Sequence, residues 1–248
     1  GNPGMGKTPL VRDVAALLKP QKLNTCEFHC KPDAPVCPYC KEKHARGDDI
    51  PTKEYWGEEL FIRVQGSPDL TVEDLIGDID PIKAMEYGPL SPQAFTPGKI
   101  FKANNGVLFF DELNRCSQRL QNSLLQVLEE KKVTIGSYDV DIPVDILFIG
   151  TMNPQDTNTE PLSDVLLDRF DLIYVHYPGT QKEEEEIVRA NGKYITEFPK
   201  SLYSQMILFL RRLRSNNDLE KVPSVRATLG LYERSQAVAK LNNHGQVR

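Results

Sequence analysis

The sequence predicts an α/β fold in which a parallel sheet flanked by helices is followed by a small helical domain. Three observations carry this expectation. Leu60–Gln65, Val107–Phe110, Ile146–Gly150 and Leu172–Tyr177 are short apolar runs rich in β-branched and aromatic residues, the pattern of strands covered on both faces. Segments of helical periodicity alternate with them, as a parallel sheet with crossover connections requires. Beyond Pro178 the strand-like runs cease and only helical patterns remain. A chain of 248 residues suffices for one sizeable core and a smaller second domain, since roughly 70–75% of the unfolded surface is buried at this length.

The first helix is marked by Leu10, Val11, Val14, Ala15, Leu17 and Leu18, with Pro9 tolerated in its first turn and Pro20 closing it. From Gln21 to Trp56 the chain is polar and rich in proline and cysteine without hydrophobic periodicity, which reads as an insertion with its own local staple. Ser117–Glu130 is amphipathic, with Leu120, Leu124, Leu125 and Leu128 on one stripe, and predicts a crossover helix. Val133–Ile135 and Tyr138–Ile142 flank Gly136-Ser137 as a hairpin. Glu183–Ala190, Leu202–Arg214 and Ser224–Leu241 read as helices of the second domain, so the expected division is residues 1–178 and 179–248. Glutamates 183–186 are expected to be solvated residues favouring a helix N-terminus rather than a metal site.

The opening residues Gly1, Asn2, Pro3, Gly4, Met5, Gly6, Lys7 and Thr8 fit G-x-x-x-x-G-K-[ST] and lead directly into the first helix. Glycines let backbone N–H groups wrap a triphosphate and the helix N-terminus adds positive potential; Lys7 reaches the outer phosphates and the Thr8 hydroxyl ligates Mg²⁺. A second block, Gly106 to Glu112, is an apolar strand ending in adjacent carboxylates. At the carboxyl end of a buried parallel strand these divide labour: Asp111 holds Mg²⁺ through water, and Glu112 orients and deprotonates the attacking water. A third, Ile146 to Asn153, delivers the Asn153 amide as a further means of positioning that water.

Asp111-Glu112-Leu113-Asn114-Arg115, the Gln121-x-x-Leu-Leu pattern, Thr151-Met152-Asn153-Pro154, Leu167-Asp168-Arg169-Phe170 and Pro223-Ser224-Val225-Arg226-Ala227, in this order, resemble the MoxR and magnesium-chelatase ATPase-subunit branch of the AAA+ proteins. The resemblance spans Gly1 to about Leu241 except the Cys-rich insertion. It implies a five-stranded parallel sheet, a hexameric ring and a helical lid, with Asn153 as sensor 1, Arg169 as the arginine finger and Arg226 as the sensor 2 arginine. It further implies that Asp78–Gly98 is the branch's insertion in the second helix and that residues 133–142 form its hairpin before sensor 1. Guanidinium groups suit the charge that hydrolysis spreads over phosphoryl oxygens. By its own surroundings Arg169 has a simpler role as partner of Asp168 or Asp171, and Arg115 either caps the following helix or crosses a subunit boundary. The strand that normally precedes the phosphate-binding loop sits mid-sheet, between the strand ending near Thr151 and Leu172–Tyr177. The chain opens inside that loop and closes in a helical region, so it reads as a fragment with a gap at that place.

Cys26, Cys30, Cys37 and Cys40 form C-x₃-C and C-x₂-C pairs, with His29 as a possible substitute ligand and Cys116 isolated in a helix. In a cytosolic chain this spacing favours a closed, structural tetrahedral Zn²⁺ over disulfides, with an iron–sulfur cluster and redox thiols as the alternatives. Thirty Lys and Arg against 35 Asp and Glu, a net charge of −5, give no broad positive field for nucleic acid. No apolar run has the length that spans a bilayer and no leader opens the chain, which points to the cytoplasm. The resulting expectation is an ATP-driven remodeller working as a ring with a partner, an adaptor carrying a metal-binding domain. Two other classes compete. Leu166 to Ile173 also resembles the corresponding stretch of MCM helicases, DNA-translocating rings, although the acidic hairpin tip argues against phosphate tracking. A nucleotide-switched binding module that hydrolyses too slowly to be a motor is the other, against which Glu112 and Asn153 both stand.

Overall fold

The computed structural model describes residues 4–89, 91–135, 140–153, 160–216 and 218–248. Two compact units are present: Thr8–Leu172, and Ile173–Arg248 together with the opening segment up to Lys7. The larger unit contains, in order, α1 (Lys7–Ala16, its first residue in the other unit), β1 (Gln21–Asn24), α2 (Pro38–Arg46), β2 (Thr52–Tyr55), β3 (Phe61–Gln65), α3 (Val72–Ile76), β4 (Gly77–Ile79), α4 (Pro81–Tyr87), β5 (Phe95–Pro97), α5 (Lys99–Lys102), β6 (Gly106–Asp111), α6 (Gln118–Glu130), β7 (Lys132–Ile135), β8 (Val140–Pro143), β9 (Ile146–Gly150) and α7 (Asp164–Leu167). The smaller holds α8 (Gln181–Asn191), α9 (Lys200–Arg214) and α10 (Val225–Leu241).

The sheet of the larger unit has the order β3-β6-β9, all parallel, with Phe61 opposite Val107 and Val107 opposite Leu147. Val107 to Phe110 in the central strand are fully buried because both faces are covered. On one face Val107 and Phe109 pack with Val11 and Ala15 of α1. On the other, Leu108 and Phe110 share a core with Leu75, Ile100, Phe101, Leu120 and Leu124. Only part of the apolar periodicity expected for the first helix is used, since Leu10 in α1 and Leu17 just beyond it are exposed.

Three expectations need correction. The sheet has three parallel strands among the described residues, not five. Leu172–Tyr177 has strand composition but forms no strand: β9 pairs with β6 alone, so this segment has no neighbouring ladder to satisfy its backbone, and Leu172, Ile173 and Tyr174 are exposed. The Gln21–Trp56 insertion is more regular than its composition suggests. β1 and β2 form an antiparallel ladder from Gln21–Tyr55 to Asn24–Thr52, and α2 is capped by Cys37 at one end and left-handed Gly47 at the other.

The insertion is tied to the amino-terminal rim of the sheet. The Phe28 ring packs against Phe101, tilted by 51° with centroids 4.8 Å apart, and the Phe28 carbonyl accepts from Asn104 Nδ2 at 2.8 Å. Asn105 Nδ2 donates to the His29 carbonyl at 2.8 Å, and Asn104 Oδ1 accepts from the Asp145 amide just before β9 at 2.8 Å. Residues 78–98 interrupt a helix as the resemblance implies: Leu75 of α3 and Ile100 of α5 share one core, with the β4–β5 hairpin and α4 between them in sequence. β7 and β8 form the expected hairpin, whose tip, residues 136–139, lies outside the described residues.

In the smaller unit Val188, Tyr203, Ile207 and Tyr232 form the core. Thr180 and Glu183 make a capping box at the start of α8, as an acidic N-terminus should. Glu184 departs from expectation: it is fully buried, with Arg214 Nη1 and Nη2 each at 2.6 Å, Thr228 Oγ1 at 2.7 Å and Arg211 Nη1 at 3.3 Å. The helical period turns it inward, and the two arginines make its burial tolerable. Burial pushes its carboxyl up, but the hydrogen bonds from Arg214 and Thr228 outweigh this and hold it below the usual carboxylate range. Glu184→Gln leaves Arg214 buried without its counter-charge and should destabilise this unit by about 3–5 kcal/mol. A depressed carboxyl contributes stability above the unfolded value near pH 4.3–4.5, lost as pH falls through the folded one. Acid titration of the wild type followed by circular dichroism should show that loss, and the Gln variant should lack this component.

Candidate functional site

Asp111, Glu112, Thr151 and Asn153 lie at the carboxyl end of the sheet in the larger unit. β6 ends at Asp111, and Glu112 follows with φ 59° and ψ 51°, a left-handed conformation costly for a non-glycine residue. Thr151 holds it there from the end of β9. Its Oγ1 accepts from the Glu112 amide at 3.1 Å and donates to Asp111 Oδ1 at 2.6 Å, while its carbonyl accepts from the Leu113 amide at 2.9 Å. β3 closes the other side. A Cβ on Gly66 would lie 2.1 Å from the Glu112 carbonyl, so only glycine allows this approach.

Two β3 side chains reach the acids. Arg63 Nη2 lies 2.6 Å from Asp111 Oδ2, and Gln65 Nε2 donates to Glu112 Oε2 at 2.9 Å. Arg115, at the end of the 3-10 turn Leu113–Arg115, pairs with Glu112 at 3.2 Å, an intrachain role that sequence reasoning did not name. Asn153 stands just beyond β9, where its carbonyl accepts from Asn114 Nδ2 at 3.2 Å; Pro154 lies outside the described residues. Arg63, Gln65 and Thr151 were missed from the sequence. Their one signal is position at the carboxyl ends of strands flanking Asp111, which requires the register to read.

The phosphate-binding loop is described from Gly4 onward, leaving Gly1, Asn2 and Pro3 outside. Gly4 and Gly6 have φ of 73° and 80°, which turn successive backbone amides in the manner of an anion-binding nest. Lys7 and Thr8, after Met5 and Gly6, open α1. The Gly4 carbonyl accepts from the Arg226 amide at 3.3 Å, and a Cβ on Gly4 would meet Ser224 Oγ at 2.5 Å. Arg226, expected to act on nucleotide, is thereby anchored beside the loop.

Arg169 pairs with neither Asp168 nor Asp171. Its Nη2 lies 2.9 Å from Glu129 of α6, and its Nη1 donates to the Val165 carbonyl at 2.6 Å.

The cysteines converge. The Sγ atoms of Cys26, Cys30, Cys37 and Cys40 all lie within 4.8 Å of one another, and all but Cys26 are fully buried. Backbone amides point at the sulfurs: Cys30 N at Cys26 Sγ (3.4 Å), Val36 N and Cys37 N at Cys30 Sγ (3.4 Å each), and Cys40 N at Cys37 Sγ (3.3 Å). These donors favour sulfur as thiolate, yet four thiolates so close repel one another. Hydrogen bonds from Cys30 and Cys37 accordingly hold Cys26 far down, while burial pushes Cys40 up to about 12. A tetrahedral cation resolves that conflict, so the donor set fits one. His29 is not part of this cluster, and Cys116 lies before α6 rather than within it.

The profile of the "ATPase family associated with various cellular activities (AAA)" matches residues 56–172. The "Magnesium-chelatase 38 kDa subunit" of Acidiphilium rubrum is 31% identical over 201 residues, covering 78% of this chain and 55% of that protein. The "Chaperone MoxR1" of Mycobacterium tuberculosis is 31% identical over 168 residues, covering 63% of this chain and 40% of its own length. The chain thus spans about half the length, or less, of these relatives. A complex of subunits BchI and BchD of magnesium chelatase shares the fold, with a TM-score of 0.55 at 22% identity over 98% of this chain and 79% of that one.

Proposed function

Because the chain belongs to the AAA ATPases, with magnesium-chelatase subunits and a MoxR chaperone among its relatives, we propose that it binds Mg-ATP and hydrolyses it to remodel a partner protein or complex. The observation that carries this reading is the Asp111–Glu112 pair, fixed by Thr151 at the end of the buried strand β6. In this reading the backbone amides of residues 4–8 cradle the triphosphate, Lys7 reaches its outer phosphates, and Arg226 contacts the same end. Asp111 and Thr8 are the residues that would hold Mg²⁺, which when bound would supply positive charge against the negative charge developing on the phosphoryl oxygens. Glu112 takes the proton of the attacking water, which the Asn153 amide helps to orient.

The two kinds of role are separable. Glu112→Gln should retain ATP affinity and lose about 10²–10⁴-fold in turnover, because the amide cannot accept the proton. Lys7→Ala should weaken ATP binding itself. Nucleotide titration and steady-state hydrolysis measure the two effects, and equal loss of affinity in both variants would contradict the assignment.

Arg169 is assigned as a finger acting on the neighbouring subunit's nucleotide in a hexameric ring, for which it must exchange Glu129 for phosphate. A supplied guanidinium is worth about 10³–10⁵ in rate. Mixing inactive Arg169→Ala with inactive Glu112→Gln should restore partial activity, since some interfaces then combine both intact residues; no recovery in confirmed mixed rings returns Arg169 to its role as partner of Glu129. A DNA-tracking ring finds little support in the β7–β8 hairpin, where Lys132 is neutralised by Asp141 at 2.6 Å and Glu130 at 3.4 Å. An adaptor with a metal-binding domain remains the partner this reading favours.

The four cysteines are assigned to a structural Zn²⁺, closed to substrate by its four thiolates. Five cysteines without a disulfide suit a reducing, cytoplasmic setting, and no helix among the described residues is long and apolar enough to cross a membrane. Metal analysis of the pure protein should find about one zinc per chain. Cys37→Ser should lose it and lower the melting temperature, and absence of both zinc and iron removes the assignment.

A further inference from the structure

The geometry points to Arg63 as an electrostatic latch on the cation site: its guanidinium holds the Asp111 carboxylate in the nucleotide-free protein and is released when a divalent cation is taken up there. This rests on the reading of Asp111 as the residue that holds Mg²⁺.

Strand register places the latch. Arg63 and Gln65 alternate onto the same face of β3, Gln65 stands opposite Asp111, and Arg63 stands opposite Phe109. From there Arg63 reaches Asp111 Oδ2 at 2.6 Å while Thr151 Oγ1 donates to Oδ1 at 2.6 Å, so both carboxylate oxygens are engaged. The two donors are not equivalent toward a cation. A threonine hydroxyl can rotate and remain as a neutral neighbour, whereas a guanidinium keeps its charge at any working pH and repels a divalent ion at the same carboxylate. Arg63 is also the partner free to leave: its side chain is 47% exposed, against 15% for Asp111.

The latch extends to the second acid. Arg63 Nη2 also donates to Gln65 Oε1 at 3.0 Å, and Gln65 Nε2 donates to Glu112 Oε2 at 2.9 Å. Asp111, Arg63, Gln65 and Glu112 thus form one hydrogen-bonded chain. If Arg63 swings away from Asp111 and from Gln65 Oε1 together, Gln65 loses one tether and its hold on Glu112 loosens, while Arg115 at 3.2 Å keeps its contact with Glu112.

The test is Mn²⁺ binding in the presence of ADP, followed by the electron paramagnetic resonance of free Mn²⁺, a readout independent of turnover. Removing the charge in Arg63→Gln should tighten Mn²⁺ binding roughly threefold to tenfold, as loss of a competing, partly exposed ion pair implies. Arg63→Lys keeps the charge and should stay within about twofold of wild type. Arg63→Met gives the same reading as Arg63→Gln if the amide disturbs the fold, which circular dichroism monitors. Unchanged or weaker binding in the neutral variants overturns the latch, for Arg63 then orients Asp111 rather than opposing the cation. Asp111→Asn in the same titration separates the two ideas. Weakened binding there with no gain in Arg63→Gln removes the latch alone, and wild-type binding there removes Asp111 as the cation's holder and the latch with it.

Discussion

The pairing of β6 between β3 and β9 is the constraint on which the acidic, carboxyl end of the sheet in the larger unit depends. A strand buried on both faces has no freedom to slip, because a one-residue shift would turn Phe109 and Phe110 onto the wrong packing surfaces. That fixed register decides where the chain emerges. It sets Asp111 opposite Gln65, brings Thr151 beside Glu112 and forces the close approach that only Gly66 permits. The left-handed backbone at Glu112 persists because donors and acceptors from two flanking strands over-determine it.

Much of this was legible in the sequence. Continuous apolar runs identify strands buried on both faces, and glycines with Lys7 and Thr8, or paired acids at a strand end, are local patterns. The cysteine cluster was legible for the same reason, since its four thiols lie within one short segment. Leu172–Tyr177 marks the limit: a strand is a pairing rather than a composition, and no string of residues announces whether a neighbour is present. Glu184 marks another, because among four successive glutamates only the helix phase and the arginines of a distant helix decide which is buried. Arg63, Gln65 and Thr151 owe their places to cross-strand register, which is not written in any one segment.

Arginine is used throughout to hold acids, with different outcomes set by exposure. Arg214 is nearly buried and closes on Glu184 with two contacts, a structural tie. Arg63 and Arg169 hold Asp111 and Glu129 while keeping more of their own surface in water, so little desolvation must be undone for them to change partners. Pair distance does not distinguish these contacts, since Arg214–Glu184 and Arg63–Asp111 are both 2.6 Å; exposure of Arg214 and Arg63 does.

The attachment of the Cys-rich insertion to the sheet's amino-terminal rim bears on the order in which the chain can fold. The cysteine loop, the β7–β8 hairpin and each helix close over short separations, so little loop entropy opposes them. The parallel ladders join segments that leave a ribosome far apart in time, Phe61 with Val107 and then Gly106 with Ile146. Asn104 spans both intervals, since it contacts Phe28 behind it and Asp145 ahead of it. A preformed cysteine loop therefore offers Phe28 and two carbonyls as a landing place for the start of β6 before β9 exists. Pulse-labelled hydrogen exchange would see this as amide protection in residues 21–56 preceding protection in the sheet.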